Sequence, residues 1–362
     1  MTRVLHLIPG ITGGGAERQL AMLVVTQAAM GLEVHIGMVR PELPQALVNH
    51  PSIQIHLLTA RGNHDPLLVL RIRSLIKQTR ADIVQTWLTM MDVMGGGAAI
   101  MTNRRWILSE RSEAACYPPS WKNNLRERLA KSASVIVANS VGGIEYWASK
   151  NIRAERLKRI PNAVDVAAIT SATIPRLPQD LEGRPLVLFV GRFSEEKMPM
   201  VMVEASIKAL ASTNAVAVLC GAGPLESEMR SRIETHGMSD RIILAGHRND
   251  VYGLMRAATV CVGISRFEGS PNAALEAMAA GCPLIVSDIP GYRKLLVNET
   301  ALFVPVNDVN ATADAIVATL ANPDAARERA ARARTLVNEF APRTTTQALN
   351  SLYAKILTGA VS

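Results

Sequence analysis

One stretch constrains the fold of this chain more than any other: residues 260–288, VCVGISRFEGSPNAALEAMAAGCPLIVSD. The apolar run 260–264 predicts a strand. Ser270 suits a helix N-cap and Pro271 the first helical position. The helix is expected over 272–280 and stops at Gly281, with Pro283 beyond to bar continuation. Residues 283–286 read as a second short apolar strand. Strand, helix and strand at this spacing make a right-handed βαβ unit with parallel strands. In such sheets the ligand sits where strand carboxyl ends meet helix amino ends. The free N–H groups near 270–273 are therefore expected to face an anion.

Two carboxylates mark this stretch. Glu268 lies in the loop, and Glu276 is the only charge in a helix otherwise built of Ala, Leu and Met. A helix apolar nearly all round is buried, and a carboxylate buried with it needs partners. Alone, Glu276 reads most simply as a structural Glu bonded to neighbouring backbone or Arg. The sharper reading is an acceptor for a ligand diol such as a ribose. Glu268 and Glu276, with seven residues between them around Gly269-Ser270-Pro271-Asn272, resemble the E-x7-E segment of glycosyltransferase family 4. These are retaining enzymes of GT-B fold. The resemblance implies two Rossmann-like, doubly wound α/β domains facing across a cleft.

The length of 362 residues suffices for two domains, and 48% hydrophobic residues fit a globular protein. No apolar run approaches the ~20 residues that a membrane-spanning helix needs. The apolar part of residues 1–11 is short and runs into a glycine loop, so no signal peptide is expected. Cys116, Cys220, Cys261 and Cys282 have no metal spacing and read as reduced core residues of a cytoplasmic protein. The formal net charge of +8 is confined to the first half: through Asp165 there are 20 Lys and Arg against 12 Asp and Glu, and the remainder has 19 of each. Nucleic acid, an anionic membrane surface or an anionic substrate could use that excess. No nucleic-acid-binding motif is present, which ranks nucleic acid last and sets the expectation of none.

In the first half, strands are expected at 4–8, 34–39, 53–58, 83–87, 106–109 and 135–138, with helices over 16–30 and 66–79. This alternation is that of a doubly wound domain. The loop Gly10-Ile11-Thr12-Gly13-Gly14-Gly15 matches neither G-x-G-x-x-G nor a P-loop, and no acidic residue closes the next strand, which disfavours a dinucleotide oxidoreductase. The loop is either a tight packing turn or a place where a ligand nears the backbone. Gly14-Gly15-Ala16-Glu17 resembles the G-G-A-E start of many family 4 enzymes, which implies a position near donor phosphates and acceptor. Residues 120–132, SWKNNLRERLAKS, place Trp121, Leu125 and Leu129 on one helical face and Lys122, Arg126, Arg128 and Lys131 around the rest. Such a helix either lies in a membrane interface or packs its stripe on its own sheet. Some members of the family carry a His near 109–113. This chain has none there, which leaves Glu110 and Glu113 as weak candidates for an acceptor-side base.

Residues 171–185, with Pro175, Pro178, Gly183 and Pro185, read as a linker. The expected division is an acceptor domain over 1–170, a donor domain over 186–340 and, by resemblance, a last segment 341–362 returning to the first domain. Residues 161–165, PNAVD, resemble the family's P-N-G-V-D, with Ala for Gly. The second half opens on the apolar strand 186–190, and strands at 215–220, 242–245, 260–264, 284–286 and 302–304 follow. Arg192 and Lys197 in Gly191-Arg192-Phe193-Ser194-Glu195-Glu196-Lys197 can clamp a diphosphate, Arg as a fork and Lys as a point charge. The stretch resembles the family's G-R-x4-K, which implies that both stabilise the leaving group. Gly221 and Gly223 in GAGP resemble G-x-G-P beside the nucleotide. Gly246-His247-Arg248-Asn249-Asp250-Val251 resembles the segment lining the base pocket, with His247 or its backbone at the base.

The expected function is that of a metal-independent retaining glycosyltransferase. It would move a sugar from a nucleotide-diphosphate donor to a hydroxyl of a glycan or lipid-linked acceptor, in cell-surface polysaccharide or lipopolysaccharide synthesis. No separate cofactor is expected. By resemblance, Glu268 orients the donor sugar and Glu276 binds the ribose diol. The expected location is cytoplasmic, with peripheral attachment to the inner face of the plasma membrane left open. A nucleotide-sugar epimerase of similar fold and a non-catalytic nucleotide-sugar-binding protein are the alternatives.

Overall fold

The structure is a computed structural model. It describes the whole chain except residues 12–13, 43, 45–46, 48–49, 63–64, 113–116, 118, 177–181 and 361–362. Gly13, Glu113, Cys116 and Pro178 thus lie outside the described residues.

Strands and helices alternate over most of the described residues and form two parallel sheets. The first contains β1 (Arg3–Leu7), β2 (Glu33–Met38), β3 (Ile53–Leu57), β4 (Ile83–Trp87), β5 (Arg105–Glu110), β6 (Val135–Ala138) and β7 (Leu157–Arg159), in the order β3-β2-β1-β4-β5-β6-β7. The second contains β8 (Leu186–Val190), β9 (Val216–Cys220), β10 (Ile242–Gly246), β11 (Val260–Gly263), β12 (Leu284–Ser287) and β13 (Leu302–Val304), in the order β10-β9-β8-β11-β12-β13. The order reverses between β1 and β4 in one sheet and between β8 and β11 in the other. These are the switch points at which doubly wound sheets open a crevice.

The helices are α1 (Gly15–Ala29), α2 (Leu67–Thr79), α3 (Leu88–Met101), α4 (Trp121–Ala130), α5 (Val141–Ser149), α6 (Val166–Ser171), α7 (Pro199–Ala211), α8 (Glu226–Thr235), α9 (Val251–Ala257), α10 (Asn272–Ala280), α11 (Pro290–Arg293), α12 (Val309–Ala321), α13 (Pro323–Thr335) and α14 (Pro342–Leu357). Side-chain alternation explains why β8 reads as a continuous apolar run. Leu186 and Leu188 pack on the side of α10, while Val187 and Phe189 pack on the side of α7 and α12. Helix α3 is hidden in the sequence because glycines at 95–97 argue against a helix. The structure supplies the reason for one of them: a Cβ on Gly96 would lie 2.4 Å from the Trp106 ring.

Two compact units result, one of Met1–Ala163 with Pro342–Ser362 and one of Val164–Ala341. The division falls after Ala163 rather than at 170, because Val164 and Ile169 are buried in the core of the second unit. The described start of the expected linker is also packed rather than free. Arg256 donates to the Ala172 carbonyl, and the Thr173 carbonyl lies where a Cβ on Gly253 would stand. In the first unit, α14 is tied in by a buried polar chain. Gln27 Nε2 donates to Tyr353 Oη at 3.2 Å, and Tyr353 donates to Gln85 Oε1.

Helix α4 corrects one expectation. Ser120 caps it, accepting from Asn123 N at 3.2 Å, and Trp121 is 63% exposed. Arg126, however, is not part of a solvent-facing basic face. It is buried, with Nε 2.7 Å from Asp92 Oδ2 and Nη2 2.9 Å from Glu110 Oε2.

Candidate active site

The second unit builds its site at the β8/β11 switch point. The two strands are parallel neighbours, with Val187 opposite Val260 and Leu188 opposite Cys261. The loops that leave their carboxyl ends therefore emerge side by side. They are joined through backbone: Arg266 N donates to Glu196 O at 2.9 Å. A short 3-10 turn, Glu195–Lys197, then aims Lys197 at the second loop. Its Nζ donates to Glu268 Oε1. The same oxygen accepts from Ser265 Oγ at 2.8 Å and from Tyr292 Oη at 3.3 Å. The Glu268 side chain is 9% exposed and that of Lys197 24%. A carboxylate so far from water is sustained by a cation and hydroxyl donors around it.

Arg192 leaves the same strand but is 74% exposed, with Nη2 2.6 Å from Glu196 Oε1. It stands at the exposed rim, paired with Glu196, whereas Lys197 is embedded.

The approach to α10 differs by one residue from the expected cap. Asn272 N donates to Ser270 O at 2.9 Å, and Pro271 has φ −77° and ψ 82°. This is an inverse γ-turn. It moves Pro271 to the N-cap, and Ser270 provides no side-chain cap. Asn272 becomes the first helical residue, so Gly269, Ser270, Pro271 and Asn272 form the lip of the helix amino end. Gly281 closes the helix at φ +71°. Glu276 sits on α10 at 7% exposure among buried Ala274, Leu275 and Ala277.

Gly221 and Gly223 follow β9, the neighbour of β8. Phe193 N donates to Ala222 O at 2.9 Å, and a Cβ on Gly223 would stand 2.4 Å from Phe193 O. These glycines let the loop after β9 close against the loop that carries Arg192 and Lys197. His247 is exposed in the loop after β10, beside Arg248, whose guanidinium grips Asp250 at 2.7 and 2.5 Å. That pairing holds the Asp250 carboxyl below its ordinary range.

Gly14 and Gly15 belong to the first unit, where Gly14 caps α1. The Gly14 amide donates to Glu17 Oε2 at 3.0 Å, the glutamate half of a capping box, since Gly14 has no side chain to return the bond. Glu110 does not serve as an acceptor-side base. It is fully buried and accepts from Arg126, Trp147 Nε1 (2.9 Å), Tyr117 Oη (2.6 Å) and Ser112 N (2.8 Å).

Ser265 and Tyr292 are the site residues that sequence reasoning misses. Ser265 could be suspected from its place three residues before Glu268. Tyr292 has no local signal, because it reaches Glu268 across 24 residues through α11. Among the described residues there is no group of three or more His, Cys, Asp and Glu side chains placed to hold a metal. Cys220, Cys261 and Cys282 are free and buried.

Residues 13–168 match the sequence model of Glycosyltransferase Family 4, and residues 184–322 match that of Glycosyl transferases group 1. The N-acetylgalactosamine-N,N'-diacetylbacillosaminyl-diphospho-undecaprenol 4-alpha-N-acetylgalactosaminyltransferase of Campylobacter jejuni is 24% identical over 334 residues, 86% of this chain and 88% of its own. The UDP-Gal:alpha-D-GlcNAc-diphosphoundecaprenol alpha-1,3-galactosyltransferase of Escherichia coli is 32% identical over 173 residues, 45% of this chain and 44% of its own. Among solved structures, Anabaena HepE in complex with UDP and glucose superposes with a TM-score of 0.84 at 18% identity, over 98% of this chain and 100% of that one. Sucrose-phosphate synthase from Thermosynechococcus elongatus does so at 0.82 and 21%, over 99% and 100%. At such identities these structures establish the fold, which is GT-B.

Proposed function

We propose that this chain, a glycosyltransferase of family 4 and of the GT-B superfamily, transfers a sugar from a nucleotide-diphosphate donor to a hydroxyl of a lipid-linked glycan, with retention and without a divalent cation. The observation that carries the reading is the pairing of Lys197 with Glu268 at the β8/β11 switch point, beside the amino end of α10. One position offers an embedded cation and a helix terminus for a diphosphate and a carboxylate for sugar hydroxyls. The relatives support the acceptor class, since two of them are named for diphospho-undecaprenol substrates.

When the glycosidic bond breaks, negative charge accumulates on the departing diphosphate. Lys197, Arg192 and the amino end of α10 stabilise that charge as it develops. Glu268 accepts from hydroxyls of the donor sugar and fixes its orientation. Glu276 accepts from the ribose diol. The leaving phosphate takes the acceptor proton on the face from which it departs, so no separate base is required, in keeping with the fully engaged state of Glu110.

Thermal melting in the presence of a panel of UDP- and GDP-sugars tests the reading, because a ligand that binds only the native state raises apparent stability. One donor is expected to protect and then to be turned over in the presence of a polyprenyl-diphosphate glycan. Protection by none of the panel, together with no turnover, would remove it.

A further inference from the structure

Tyr292 bonds Glu268 but has no part in the transfer reading above. This tyrosine is 3% exposed, in the short helix α11 that follows β12. It is pressed against the Glu268 loop, since a Cβ on the preceding Gly291 would stand 2.2 Å from the Glu268 carbonyl oxygen. Burial and the Glu268 charge push its phenol well above the usual tyrosine range, so it stays an O–H donor. Ser265 is fixed in turn, its N–H donating to Ser287 Oγ at 2.9 Å.

The three donors around Glu268 all converge on Oε1. We propose that Tyr292 is a positioning residue for donor-sugar recognition: with Ser265 it holds Glu268 by Oε1 and so presents Oε2 to the sugar hydroxyls. This rests on the transfer reading above. The need for it follows from electrostatics. Lys197 has three N–H donors, but a diphosphate carries more charge than one carboxylate and draws the ammonium toward itself. As the donor binds, the grip of Lys197 on Glu268 weakens, and the two neutral hydroxyls keep the carboxylate in place. A phenol is suited to this, because it gains nothing by turning to an anion beyond its reach.

The test is Tyr292→Phe, which removes the hydroxyl and keeps the packing. With the donor found by the melting panel, kcat/KM is expected to fall about tenfold to a hundredfold, the range for a hydrogen bond to a charged group. Affinity for the free diphosphate alone, UDP or GDP, is expected to stay within twofold by calorimetry, since neither engages Glu268 through a sugar. Tyr292→Leu separates packing from bonding: a purely structural role leaves Phe like wild type and damages only Leu. Wild-type kcat/KM in Tyr292→Phe, or an equal loss of free-diphosphate affinity, would overturn the proposal. A wild-type protein inert toward every donor would instead remove the transfer reading itself.

Discussion

Arg126 Nη2 lies 2.9 Å from Glu110 Oε2, and both side chains are essentially removed from water. Asp92 completes the group, 2.7 Å from Arg126 Nε, and its other oxygen accepts from Thr86 Oγ1 at 2.6 Å. The guanidinium also stacks near Tyr117 and Trp147, at 4.7 and 4.9 Å from their ring centres. One arginine of a helix that looks basic on all its polar sides is therefore the internal pin that fastens α4 to α3 and β5.

Removing that pin leaves two carboxylates buried with one counter-charge gone. Arg126→Ala is expected to destabilise the first unit by about 3–5 kcal/mol, the usual cost of breaking a buried pair from one side. Urea unfolding of the variant checks this; a loss below about 1 kcal/mol would show that the pair is dispensable.

The basic surface of α4 is carried by Lys122, Arg128 and Lys131 beside exposed Trp121. Each cation near an anionic membrane contributes on the order of 1 kcal/mol, screened by salt. Binding to vesicles containing anionic lipid is expected at low salt, to weaken at high salt, and to drop when these three residues become Ser while Arg126 is kept. Equal sedimentation with neutral and anionic vesicles, or with neither, would count against membrane docking through α4.

Lys197 and Glu276 should separate in steady-state kinetics. Charge on the diphosphate grows in the transition state, so Lys197→Ala is expected to lower kcat by ~10²–10³-fold. Arg192→Ala should cost less, because its side chain is largely exposed and shared with Glu196. The ribose is unchanged by the reaction, so Glu276→Gln is expected to raise the donor KM more than it lowers kcat. Loss of kcat in Glu276→Gln at saturating donor, with only KM altered in the two cation variants, would reverse the assignment.

Turnover is expected to survive EDTA. The chain has no Asp-x-Asp pair, and in the proposed mechanism Lys197, Arg192 and the α10 amino end neutralise the diphosphate. Complete loss of activity on chelation, restored by Mg²⁺ or Mn²⁺, would require a different account of leaving-group stabilisation.

His6 gives the first unit an acid limit. Trp87 Nε1 donates to His6 Nδ1 at 3.2 Å, so the ring proton sits on Nε2, which donates to Gln27 Oε1 at 2.9 Å. Burial, with the Arg111 charge added, lowers the imidazole from 6.5 to about 4. A base depressed on folding contributes stability above its unfolded pKa and loses it as pH falls through the folded value. Acidification from pH 6.5 to 4 should thus remove up to ~3 kcal/mol through this residue. Chemical denaturation across that range should show a shallower pH slope in His6→Gln than in wild type; equal slopes would assign the acid sensitivity elsewhere.

What the sequence determined by itself was local and periodic. Apolar runs such as 186–190 mark strands buried on both faces, and Gly281 and Pro283 end α10 for reasons of backbone sterics that need no neighbour. The charge pattern of Arg192, Lys197, Glu268 and Glu276 was also legible, because the residue types and spacings are confined to two short segments. The tertiary structure decided everything that depends on which distant groups meet. Arg126 reads as a surface cation until Asp92 and Glu110 are brought to it, and Glu110 as a free carboxylate until four donors close on it. Pro271 takes the cap position because the Ser270 carbonyl catches Asn272. Tyr292 becomes part of the site only because parallel β11 and β12 set their loops side by side, which puts its hydroxyl on Glu268. Burial and pairing are properties of the assembled unit, and a side chain's charge carries no information about them until its partners are placed.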